Sequence, residues 1–169
     1  MRLSFAALLA TCAIAACANN HSAGTRLAGA AAGTVDQATA SLAGDPGTIQ
    51  WGPAPAVLPA GAEIAVLQGD PGKAEPFTVR LRFPSGYRIA PHTHPTAENV
   101  TVIKGTFLAG MGTSFVERDL RTYGRDGFVS LPAAHPHYAM ARGQTIVQVH
   151  AIGPFAIEYV NPADNPAPR

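Results

Sequence analysis

An all-β fold of short strands is predicted for this 169-residue chain by three observations. Fifteen prolines and seventeen glycines fall in short punctuating groups, as turns between strands require. The segment 76–86, PFTVRLRFPSG, alternates, with Phe77, Val79, Leu81 and Phe83 on one face and Thr78, Arg80 and Arg82 on the other. No helical heptad repeat competes with this pattern. Hydrophobic residues make up 47% and charged residues 14%, enough apolar material for one compact core and against disorder throughout. A formal charge of +1 with dispersed arginines gives no electrostatic footprint for nucleic acid or an anionic surface.

Residues 1–17 read as an export signal. Arg2 is the positive start, and the apolar run from Leu3 to Ala16 is too short to span a membrane comfortably. Ile14, Ala15, Ala16 and Cys17 resemble a bacterial lipobox, which implies lipidation at Cys17 and a periplasmic, lipid-anchored protein. Ala18 stands where an aspartate would retain a lipoprotein at the inner membrane, so the resemblance points to the outer membrane. Ordinary cleavage at a nearby small residue, releasing a soluble periplasmic protein, is the alternative. Cys12 and Cys17 both precede the domain, so the domain holds no disulfide, no thiolate ligand and no cysteine nucleophile.

Residues 18–48, rich in Ala, Gly, Thr and Ser, read as a flexible tether, although Val35 to Leu42 has the makings of a helical turn. The domain is predicted over 49–160, with a proline-rich tail over 161–169. Trp51 to Pro59 is proline-interrupted and is expected to pack along the outside. Ala62 to Pro71 is a short strand closed by a Gly-Asp-Pro-Gly turn. After the alternating strand come a strand at 106–113, a polar connection at 117–127, a strand at 127–132, and two β-rich runs over 144–160 interrupted by Gly153 and Pro154. The total is eight to ten strands. Arg80 and Arg82 are expected on a solvated outer face, with recognition of an anionic substrate as the alternative.

The stretch from Gly86 to Gly105, GYRIAPHTHPTAENVTVIKG, carries the chemistry. On extended backbone His92, His94, Glu98, Val100 and Val102 share one parity and face one interior, while Thr93, Asn99, Thr101 and Ile103 take the other face. Two imidazoles and a carboxylate converging on a point suit a divalent ion (Fe, Mn, Zn, Ni or Cu) with coordination positions left open.

The spacing resembles the first signature of the cupin superfamily: a glycine, five residues, HxH, three residues, a glutamate, six residues and a glycine. Here these are Gly86, His92, His94, Glu98 and Gly105, with Pro95 after the second histidine. The second cupin signature, a proline-glycine turn followed by a fourth ligand histidine, is matched in GFVSLPAAHPHYA by Pro132 and His137. That match departs at three points. Ala134 stands where the turn glycine is usual, Gly127 is one residue off its place, and Ala141 replaces a frequent asparagine. These departures bear on the path of the loop, and His135 is the alternative to His137 as the fourth ligand.

The resemblance implies a double-stranded β-helix, the cupin jelly-roll barrel, with His92, His94, Glu98 and His137 as metal ligands. It implies a metal-dependent oxidoreductase of the dioxygenase kind acting on a small oxygen-rich organic molecule, with Glu98 as ligand and candidate base. The alternatives are a metal-dependent lyase or isomerase and a non-catalytic periplasmic protein that captures a small molecule or metal; a metal-free sugar cupin fits the intact ligand set less well. Barrels of this kind often pair through sheet edges, so a homodimer is expected. Around the site, His150 faces either the cavity or the outside, Tyr138 and Met140 are candidates to shape the pocket, and Phe107, Phe115 and Phe128 are expected in the core.

Overall fold

The computed structural model describes residues 47–167. The expected signal, Cys17, nearly all of the tether and the last two residues of the tail lie outside the described residues. Nine strands follow in order: β1 (Gly52–Pro53), β2 (Glu63–Gln68), β3 (Pro76–Phe83), β4 (Arg88–Thr93), β5 (Glu98–Met111), β6 (Arg121–Tyr123), β7 (Phe128–Leu131), β8 (His137–Ile152) and β9 (Glu158–Tyr159). Single 3-10 turns at Glu117–Asp119 and Pro162–Asp164 complete the described elements.

The framework is an antiparallel ribbon of β5 and β8, running from Asn99 opposite His150 to Met111 opposite His137. Along the other edge of β8, β3 and β4 lie one after the other, Phe83 opposite Thr145 and Arg88 opposite Met140. The other edge of β5 takes β6 and β7. β2 and β1 extend the sheet from β3, and β9 extends it from β4.

This ribbon is rolled up. Glu98 and His137 belong to its opposite ends, and at roughly 3.3 Å per residue a flat ribbon would hold them about 40 Å apart. In the fold Glu98 Oε2 is 3.6 Å from His137 Nε2. The bend has a local cause at Gly105. The register of β5 against β8 shifts on both sides of Lys104, Gly105 has φ of 79°, and a Cβ there would collide with the carbonyl oxygen of Gln144. Buried Thr145 ties the corner, its Oγ1 accepting from Thr106 N at 3.2 Å and donating to Thr106 O at 3.0 Å. The glycines that read as strand breaks are thus bends within long strands, so 98–111 and 137–152 are each continuous.

The inner wall follows the predicted parity. Phe77, Val79, Phe83, Val100, Val102, Val147 and Val149 are all buried, and Leu81 packs partly buried against them. At about 1.5–3 kcal/mol for each fully buried large apolar side chain, this wall is a main stabilising term. On the outer face Arg80 donates to Gln148 at 3.2 Å, while Arg82 donates to Glu63 at 2.8 Å and lies 4.0 Å from the centre of the Trp51 ring. Neither arginine lines the cavity.

Three expectations are corrected. The stretch 51–59 packs outside only at its start, where Trp51 lies under Arg82: Leu58 is buried, and Pro55, Val57 and Leu58 line the central cavity. Two tyrosine hydroxyls hold it there, Tyr87 donating to Pro59 O at 2.5 Å and Tyr159 to Val57 O at 2.8 Å. Phe128 is exposed, because its strand β7 is short and pairs only with β5, whereas Phe107 is in the core as expected. Phe115 is partly buried beside Tyr138, outside the main cluster, with the Arg88 guanidinium 5.0 Å from its ring centre.

Candidate metal centre

Each site residue is placed by a different part of the rolled ribbon. His92 lies on β4 opposite His137, the first residue of β8. His94 follows the end of β4 and is held by its backbone, its carbonyl accepting from Ala134 N at 2.8 Å. Glu98 opens β5 opposite Leu131 of β7. Ala134, at the position where a turn glycine is usual, has φ of 56° and so adopts the left-handed conformation a glycine would take. The departure at this residue therefore leaves the turn intact, and His137 reaches the interior.

All three histidines are buried. One ligand atom from each lies within 4.8 Å of the others, a group that could hold a metal ion. Glu98 joins them, its Oε2 lying 3.6 Å from Nε2 of both His94 and His137, with its side chain 12% exposed.

Hydrogen bonding settles the tautomers. Nδ1 of His92 bonds to Ala90 O at 2.7 Å, Nδ1 of His94 to Ala156 O at 2.6 Å, and Nδ1 of His137 to His135 O at 3.0 Å. A carbonyl only accepts, so in each neutral ring the proton sits on Nδ1 and Nε2 keeps its lone pair. Nε2 of His94 and of His137 is fully buried with no hydrogen-bond partner. A buried polar atom without a partner is costly in an ordinary core. Two of them aimed with a carboxylate at one point fit a divalent ion, with backbone carbonyls orienting the rings from behind.

The ionisation of His92 and of Glu98 agrees with that fit. Burial, followed by the neighbouring His137, lowers His92 to about 3, so its ring is neutral at pH 7. Burial pushes Glu98 up, but a proton on the facing Nε2 of His137 and His94 outweighs burial and brings its carboxyl down to about 2, and a divalent ion in that place would hold the carboxylate ionised in the same way. Neutral imidazoles and an ionised carboxylate are the forms that ligate a metal.

The other candidates fall outside the site. His135 and His150 are exposed, Nδ1 of His135 bonding to Ala133 O and Nδ1 of His150 to the Thr78 hydroxyl. His135 therefore does not replace His137. Tyr138 and Met140 do not line the cavity, whereas Ala139 between them does. Tyr138 is buried on the opposite face, tilted against Phe115 at 4.9 Å between ring centres and lying over Gly110, where any Cβ would run into its ring.

The loop after β8 contributes what side-chain patterns did not reveal. Phe155 stacks on the His94 ring at 4.2 Å between centres and 21° between planes, and the next residue supplies the carbonyl that orients His94. A carbonyl acceptor leaves no mark on residue type. A weak local signal does exist for the other two rings, since His92 and His137 each bond the carbonyl two residues upstream across a proline, Ala90-Pro91-His92 and His135-Pro136-His137.

The four candidate ligands line a cavity of about 210 Å³, and every other lining residue is Ala, Pro, Val, Leu, Ile or Phe.

No known protein family matches this chain, and no curated protein matches it. Solved structures do. The "putative acetylacetone dioxygenase" of Methylibium petroleiphilum superposes with a TM-score of 0.55 at 19% identity, covering 72% of this chain and 82% of that one. An RmlC-like cupin from Shewanella frigidimarina gives 0.51 at 14% identity, covering 64% and 88%. The polyketide cyclase RemF of Streptomyces resistomycificus gives 0.50 at 17% identity, covering 62% and 75%. Identities this low speak to fold alone. With the rolled ribbon and its nine strands, they establish that this chain has the cupin jelly-roll fold.

Proposed function

We propose that this chain is a divalent-metal protein in which His92, His94, Glu98 and His137 hold one ion, and that it works as an oxidoreductase of the dioxygenase kind on a small oxygen-bearing organic molecule. The observation that carries the reading is the pair of buried, unpartnered Nε2 atoms of His94 and His137 beside the ionised Glu98. Candidate ions are Fe, Mn, Zn, Ni and Cu, since a set of imidazoles with a carboxylate suits all five. Such an ion supplies Lewis acidity toward a ligating oxygen and, where it is redox-active, electron transfer.

The chain's own residues prepare the rest. The carbonyls of Ala90, Ala156 and His135 fix the imidazole orientations, and the apolar wall keeps water away from whatever enters. Glu98 also stands as the candidate base. A carboxyl lowered to about 2 is ionised and a weak proton acceptor, which favours its ligand role over that of base. Fold neighbours described as a dioxygenase and a cyclase illustrate that the fold hosts such chemistry, although fold by itself does not assign it.

The test is dioxygen consumption by protein reconstituted with each ion in turn, on addition of catechol, a flavonol or a diketone. Uptake that depends on substrate supports the oxidoreductase. Tight binding without turnover for every ion would reassign the protein to capture of a small molecule.

Export with lipidation at Cys17, placing the domain in the periplasm at the outer membrane, belongs to the same proposal, as does pairing into a homodimer. Cys17→Ser should abolish detergent partitioning, and unchanged partitioning would remove the anchor. Sedimentation of the detergent-free domain at the mass of one chain would remove the dimer.

A further inference from the structure

The wall of the cavity narrows the substrate class beyond an oxygen-bearing small molecule. Resting on the metal reading above, we infer that the ligand is a compact molecule with a single, singly charged oxygen-chelating head and an otherwise apolar body.

Polarity gives the first argument. Apart from His92, His94, Glu98 and His137, no lining residue carries a hydroxyl, amide, guanidinium, ammonium or carboxylate group. The two arginines of β3 are turned outward and engaged with Gln148 and Glu63. A hydroxyl or carboxylate on the body of a ligand would lose its water and meet hydrocarbon from Phe77, Leu81, Val147 or Val149. Sugars, polyols and dicarboxylates are therefore poor fits, and among the described residues no cationic side chain lines the cavity to hold a remote anionic group.

Charge balance gives the second. Three neutral imidazoles and one carboxylate carry a net charge of −1, so a divalent ion leaves the centre at +1 inside an apolar wall. Burying a net charge in such surroundings is costly, and a head that ligates as a monoanion brings the sum to zero. Enolates of 1,3-dicarbonyls, hydroxamates and hydroxypyranones share that chemistry. Size gives the third. A cavity of about 210 Å³ is smaller than drug-sized pockets, with room for on the order of ten non-hydrogen atoms.

Matched chelators test this on the metal-loaded wild-type protein. Allomaltol and kojic acid are the same 5-hydroxy-4-pyranone with a methyl against a hydroxymethyl group at C2; benzohydroxamate and its 4-carboxylate share a hydroxamate head. Calorimetric titration should show allomaltol and benzohydroxamate binding at least tenfold more tightly than their polar partners, with the metal retained by elemental analysis. Equal affinities, a reversed order, or no binding of any chelator to metal-loaded protein would overturn the inference. A protein that takes up no metal would overturn the metal reading and this inference with it, an outcome seen in the elemental analysis before any chelator is added.

Discussion

The inner and outer walls of the barrel are made from the same strands but hold histidine on opposite terms. Inside, His92, His94 and His137 are buried, each has Nδ1 tied to a carbonyl, and two of them present an unpartnered Nε2. Outside, His135 and His150 are exposed, although His135 stands two residues from His137 and has its own Nδ1 on the carbonyl of Ala133. Local hydrogen bonding is thus shared between the walls. What separates them is which way the backbone turns each ring, toward solvent for His135 and His150 or toward the other candidate ligands for the three inside. Phenylalanine divides in the same way, Phe77 buried inside and Phe128 exposed outside.

The largest difference between the walls should appear in stability. Phe77→Ala removes a ring that packs edge-on against Phe155 at 5.3 Å and lines the cavity, and should cost about 3–5 kcal/mol in chemical denaturation. Phe128→Ala should stay within about 0.5 kcal/mol. Equal losses would mean that the apolar wall is not the core of the domain. Next comes metal affinity. Loss of an orienting partner behind a ligand typically costs 10- to 100-fold, so His137→Ala, which removes the ligand itself, should weaken binding more than about 100-fold. His135→Ala should leave the titration curve unchanged, and a comparable loss there would reinstate His135 as the ligand.

The smallest effect is on pH dependence, and it sharpens the comparison further. His92 is lowered to about 3 in the fold against 6.5 as its ordinary value, so the unfolded chain binds the extra proton between those limits. Its contribution is complete above pH 6.5 and is lost as the pH falls below it. Glu98, lowered to about 2 from 4.5, adds loss only below about pH 4.5. Metal-free protein should therefore lose roughly 1 kcal/mol between pH 7.5 and 5.5, read from denaturation midpoints at each pH. His92→Asn should flatten that slope, and a slope unaffected by the substitution would detach it from the buried ring.

Much of the inner wall was legible from period alone. Alternation over 76–83 and the shared parity of Glu98, Val100 and Val102 give their direction, because a strand repeats every two residues; His92 and His94 reach the same interior although the register shifts between Ile89 and His92 and residues 94–97 leave the strand. The rolled ribbon was not legible. Gly105 closes a motif in sequence, and only the register shift beside it across β5 and β8 shows a bend that brings Glu98 to His137. The stretch 51–59 has no period to read, and its burial depends on hydroxyls from Tyr87 and Tyr159, the latter one hundred and two residues distant from its acceptor. Phe155 and the Ala156 carbonyl escaped for the same reason, since their partner His94 lies sixty-two residues away from Ala156 and a carbonyl is common to all residues.

The central claim is that His92, His94, Glu98 and His137 grip a single ion, and elemental analysis tests it most directly. Wild-type protein exposed to each of the five ions and then dialysed should retain one ion per chain for at least one of them. The variant carrying His92→Ala with His94→Ala, folded by circular dichroism, should retain almost none. Full retention in that variant would contradict the account.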